Sequence, residues 1–179
     1  MDNNTIKLPD LLMLNDYGGN YHLYIDAVYK VFKRDFVTNK TKFRNEELRL
    51  KWHPIYQDKA YTFYHMTHEG EEEQNRLPDL RRCERMPWAK PTIENCDTWS
   101  LKIWPQVRTG KGGTRNRLCI WLEMSDEPDY IVILDVRDNY KLLWTAFVPQ
   151  HPHEKRKKQK EYDEWLKTQK SPEKTLTTS

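Results

Sequence analysis

The stretch from Arg117 to Val148 constrains this chain more than any other. Three runs rich in Ile, Val, Leu and aromatic residues, at 117–124, 130–137 and 141–148, follow one another closely. Such residues suit a pleated, half-buried surface. The joining segments, 125–129 and 138–140, are turn-rich and of hairpin length. A parallel return would need a crossover of about a dozen residues, so the spacing predicts an antiparallel meander. Side chains alternate across a strand. That alternation puts Leu118, Ile120, Leu122 and Met124 on one apolar face, with Tyr130, Val132, Leu134 and Val136, and with Leu142, Trp144, Ala146 and Val148. The opposite face collects Arg117, Cys119, Trp121, Glu123, Asp135, Arg137, Lys141, Thr145 and Phe147. One face is expected to pack on a helix and the other to form a polar, aromatic, concave surface.

The helix to cover the apolar face is predicted at 22–37, where Leu23, Tyr24, Ala27, Val28, Val31, Phe32 and Phe36 recur at intervals of three and four. Asn20 is a candidate cap. Residues 46–53 fit a strand or a short helix. Residues 60–69, rich in Tyr, Thr and Phe, read as a strand closed by an acidic turn. The segment 74–98 is Arg-rich and broken by Pro78, Pro87 and Pro91, a short strand is expected within 98–107, and 109–114 reads as a flexible basic loop. After Pro149 and Pro152, residues 153–169 form a highly charged helix whose apolar stripe is Tyr162, Trp165 and Leu166, and the last ten residues read as disordered. The predicted fold is α+β: an N-terminal helix packed on an antiparallel meander in one domain over 1–150, with a charged helix and tail over 151–179.

Apolar residues make up only 37% of the chain, yet 12% are aromatic, including seven Trp. A small core of large side chains reconciles the two, and disorder of the whole chain does not. No apolar run approaches the roughly 20 residues of a membrane span, and the acidic start lacks the character of a signal peptide. Cys83, Cys96 and Cys119 are odd in number and widely spaced, which suits reduced thiols in a cytoplasmic protein.

The net charge of +3 hides an asymmetry. From His151 onward there are eight Lys/Arg against five Asp/Glu, while Asn75 to Arg117 holds ten basic residues against four acidic ones. A basic middle in an acidic body points to a localised anion site, with a solvated Arg-rich loop as the plain alternative.

Three clusters could carry chemistry. In Phe63-Tyr64-His65-Met66-Thr67-His68-Glu69, two His lie beside a carboxylate. Their spacing fits no common zinc pattern, and a lone His can serve as general acid or base; His65 is preferred, with His68 second. Arg76, Arg81, Arg82 and Arg85 suit bidentate phosphate contacts, although Asp79 and Glu84 could neutralise them locally. Thr145 sits in Trp144-Thr145-Ala146-Phe147 on the last predicted strand.

An N-terminal helix, a meander and a final strand ending Thr-Ala-aromatic resemble the barnase–EndoU–colicin–RelE superfamily of metal-independent ribonucleases, over roughly 61–147. The resemblance implies a cytoplasmic, toxin-like or phage-defence endoribonuclease that needs no cofactor and no metal. RNA would be cut by 2′-hydroxyl attack on the adjacent phosphate. His65 or His68 would move the proton, Arg81, Arg82 or Arg85 would stabilise the phosphate charge, and Thr145 would bond a phosphate oxygen or the 2′-hydroxyl. Arg76, Lys111, Arg115 and Arg117 would hold the RNA, and Trp121 would stack a base. A neutralising partner protein is the other implied ligand. Two rival functions stay open: a non-catalytic module binding nucleic acid or protein, and a metal-dependent nuclease using Asp135, Glu123 and Lys141.

Overall fold

Asn20 starts the first helix. Its side-chain oxygen accepts the Leu23 amide at 3.2 Å and so caps α1 (Tyr21–Phe32). The computed structural model describes residues 6–110 and 112–170. α1 buries Tyr24, Val28 and Phe32 of the predicted stripe and Ile25 besides, while Leu23, expected in the stripe, faces solvent. It does not run on as an α-helix to Val37: the chain widens into a π turn, Lys33–Thr38, which keeps Phe36 inside, 5.4 Å from the Phe32 ring. A two-stranded ribbon follows, β1 (Lys42–Phe43) and β2 (Glu46–Glu47).

The strand expected over 60–69 is mostly helix: α2 (Tyr61–Thr67), then only β3 (His68–Glu69). Six of the seven α2 residues are buried, polar Thr62, His65 and Thr67 among them, so no solvent-facing side impresses a period on the sequence. Phe63 packs edge-on against Tyr29 and Phe32, at 4.8 and 5.4 Å, and this packing outweighs the local strand preference. After a 3₁₀ turn (Glu73–Asn75), β4 (Leu77–Pro78) pairs with β3. The proline-broken segment then forms two short helices, α3 (Leu80–Glu84), capped by Asp79, and α4 (Met86–Glu94), with Pro87 in its first turn.

The main sheet is the predicted antiparallel meander, extended by one strand in the order β5 (Lys102–Gly110), β6 (Gly113–Leu122), β7 (Tyr130–Val136) and β8 (Lys141–Phe147). The expected loop at 109–114 is instead a hairpin tip, because Thr109 pairs with Thr114 and Gly110 with Gly113. One face carries the predicted core of Ile120, Leu122, Tyr130, Val132, Leu134, Ala146 and Val148, under α2 and α4; α1, expected to cover the sheet itself, packs on these helices. A bulge in β8 shifts the register: Ile133 faces Thr145 but Leu134 faces Leu143, leaving Trp144 as the extra residue. Leu143 therefore enters the core in place of Leu142 and Trp144, which lie on the outer side. Lys141, opposite Val136, also leaves the face expected for it.

That outer face is not an open concave surface. α5 (Pro152–Lys170) lies across it, and Tyr162 and Trp165 close a second small core of Trp104, Cys119, Trp121, Ile131 and Ile133. The three cysteines are buried and unpaired. The tail expected to be disordered lies outside the described residues apart from Lys170 at the helix end. Among the described residues, no helix is long and apolar enough to cross a membrane.

Candidate active site

Gly70 places the first functional side chain. Its φ of +137° favours glycine, and a Cβ there would meet the Arg76 backbone at 3.3 Å. The tight turn returns the chain over α2 and brings Glu73 to His65, whose Nε2 lies 3.0 Å from both carboxylate oxygens. The imidazole is enclosed, its side chain only 3% exposed, between the Tyr61 ring at 4.3 Å and the Trp144 ring at 5.0 Å. Glu73 is 42% exposed, so it is the member of the pair that meets solvent. Burial, then the Arg76 charge, holds His65 below its ordinary value against the pull of Glu73. Burial works to raise Glu73. Hydrogen bonds from His65 and Tyr61, with the Arg76 charge, prevail and keep it below the usual carboxylate range. Arg76 completes the group, its Nη2 lying 3.6 Å from Glu73 Oε1.

Thr145 reaches the same place from the other end of the chain. Its hydroxyl donates to the His65 carbonyl at 2.8 Å. Arg82 Nη1 stands 3.4 Å from Thr145 Oγ1 and from the His65 and His68 carbonyls, while its Nε holds Asp79 at 3.1 Å. Both side chains, expected to touch phosphate, are thus tied to the backbone that carries His65. The Thr145 proton is already given to a carbonyl.

Two clefts flank the pair. The first, of about 420 Å³, opens between the outer sheet face and α5, with Arg108, Arg117, Thr145, Phe147, Lys157 and Lys158 among its walls. Burial lowers the Arg117 guanidinium, which packs over Trp144 at 4.9 Å and has a buried Nε without a hydrogen-bond partner. The second, of about 350 Å³, runs along the far side of α2 past Tyr56, Tyr64, His68 and Arg76. Arg117, Trp144, His65, Glu73 and Arg76 make a continuous chain of contacts from one cleft to the other.

The other expected residues are placed elsewhere. Arg85 is 4% exposed, stacked over Trp88 and ion-paired to Glu84 and Glu127, and serves packing. Trp121 cannot stack a base, being sealed under α5 with Nε1 bonded to Asp129. Arg81 is exposed on α3. Arg115 lines a separate polar depression with Asp135 and Arg137. Lys111 lies outside the described residues. The trio for a metal-dependent nuclease is not assembled: Asp135 pairs across from Arg117, while Glu123 follows the end of β6, six residues on from Arg117 and about 20 Å away. Lys141 turns to Glu46 at 2.6 Å.

Sequence reasoning missed Glu73, Tyr61, Arg108 and Lys157. Glu73 stands in a run with Glu71 and Glu72, and no property of the run marks which of them returns to a histidine. Compared with known proteins, the chain matches no family model, no curated protein and no solved structure.

Proposed function

We propose that this protein is a metal-independent endoribonuclease that cuts RNA by attack of a ribose 2′-hydroxyl on the adjacent phosphate. The reading rests on one observation: a buried imidazole, His65, is paired with a solvent-facing carboxylate, Glu73, on a backbone that Thr145, 80 positions away in the chain, holds by its His65 carbonyl. Glu73, ionised and facing solvent, takes the 2′-hydroxyl proton. The 2′-oxygen bonds to phosphorus, the bond to the 5′-oxygen breaks, and the Glu73–His65 pair returns a proton to that leaving oxygen. A 2′,3′-cyclic phosphate and a 5′-hydroxyl result. Arg76, 3.6 Å from Glu73, supplies positive charge for the phosphorane, and Arg117, beyond Trp144 in the first cleft, holds a neighbouring phosphate of the strand. Thr145 and Arg82 are positioning residues, clamping the backbone of His65. His68 is the weaker candidate for the proton, because burial pushes it down to about 4 and the carboxylate partners His65.

The test is RNA incubated with the full chain in EDTA, with products analysed for cyclic phosphate ends. Cleavage that survives chelation and is lost in His65→Ala and Glu73→Gln supports the reading. A second reading, a non-catalytic RNA-binding module, draws on the cations of the first cleft; RNA retained intact by the folded protein would establish it and overturn the first.

A further inference from the structure

The second cleft is built for a flat ring. Tyr56, Tyr64 and His68 form a continuous stack, with centroids 4.6 and 4.4 Å apart and planes within 23° and 28°. Tyr64 stacks with both neighbours and is fixed at its hydroxyl, whose one proton lies between the Glu73 and Arg76 carbonyls, 3.3 and 3.4 Å from the oxygen. His68 ends the stack, and among the described residues no further ring follows it.

The His68 ring is uncharged at neutral pH, because burial lowers it to about 4. Its Nδ1 edge is held by Thr67 Oγ1 at 2.9 Å, and that hydroxyl lies 2.8 Å from the Phe63 carbonyl. Two cations border the same cleft: Lys59, and Arg76, whose Nε is buried without a hydrogen-bond partner. Gln57 and Gln74 bring amide donors and acceptors to its rim. A neutral aromatic platform, edge-reading amides and neighbouring cations together match a nucleotide: a planar base with a phosphate attached.

We propose that this cleft is a base-recognition subsite, holding one nucleotide of single-stranded RNA with its base against His68 and its phosphate towards Arg76. Arg76 touches Glu73, so the subsite adjoins the reacting bond; this part rests on the ribonuclease reading. The same chemistry would accept a free mononucleotide, and the experiment separates the two. Binding to the full chain is measured with the four nucleoside 3′-monophosphates and with uncleavable 2′-O-methyl tetranucleotides of varied sequence. The expected result is tighter binding of the tetranucleotides, with a preference among bases. His68→Ala should weaken that binding roughly tenfold and flatten the preference, while His68→Phe, which keeps a ring, restores affinity. Unchanged affinity and preference in a folded His68→Ala protein overturn the subsite, even if RNA is still cut. Monophosphates binding more tightly than tetranucleotides overturn it in favour of a free nucleotide. Base-selective binding that His68→Ala weakens supports the subsite even where no cleavage is seen, and in that case it is the ribonuclease reading that fails.

Discussion

The two clefts beside His65 differ in the kind of surface they offer. The cleft under α5 is cationic, with Arg108, Arg117, Lys157 and Lys158 brought together from two strands and a helix. The cleft along α2 is aromatic, with three stacked rings and two cations at its border. Charge attracts a polyanion at long range without reading it, whereas a ring platform acts only on contact and presents a stacked base to edge-reading groups such as Gln57 and Gln74. In the ribonuclease reading, the contrast divides holding a strand from choosing where on it to act, with the Glu73–His65 pair in between.

The largest expected effect breaks both clefts away from the chemistry. Glu73→Gln keeps the shape and removes the base, and should lower the cleavage rate by roughly 10²–10⁴ while leaving the Kd for uncleavable RNA within about twofold. Next, Arg85→Ala should cost about 2.5 kcal/mol of stability in denaturant unfolding by removing the buried side chain packed over Trp88, with a small part from its pairs to the more exposed Glu84 and Glu127, and should not alter RNA affinity. That result would separate the packing arginine from those facing the clefts.

A smaller effect sharpens the aromatic side. Burial lowers His68 from 6.5 to about 4, so the folded protein favours the neutral ring. Its contribution is whole above pH 6.5 and is lost as pH falls from there towards 4. Allowing for solvent at a partly exposed ring, the loss is on the order of 2 kcal/mol, and His68→Gln should flatten the acid limb of the stability curve. The smallest effect belongs to the cationic side. Lys157→Gln should weaken RNA binding by about threefold, and the slope of log affinity against log salt should shrink by about 1, equally for every sequence.

The meander and the two long helices were legible because their periods are clean and their turns short. Phe36 still reached the core through a π turn that no hydrophobic pattern distinguishes from a continuing helix. α2 was misread because a buried element shows no alternation, and Trp144 because one extra residue reverses the parity of everything before it. His65, Arg76, Arg82 and Thr145 could be nominated by residue type. That Thr145 and Arg82 hold a backbone carbonyl, and that Trp121 lies sealed beneath α5, are facts of tertiary contact. Glu73 depends on the return of the chain at Gly70, and the acidic run around it conceals that choice.

The bulge has a consequence for how β8 could change. On either side of Trp144 the strand consists of two half-strands whose inward and outward positions already agree: Leu143 faces in, Thr145 out and Ala146 in. Trp144 is an addition spliced between them. A chain lacking that single residue would keep every other side chain of the strand on its present face and lose only the ring joining His65 to Arg117. Excision of one residue, ruinous elsewhere in a sheet because it inverts whatever follows, would here uncouple the two clefts and leave the architecture standing.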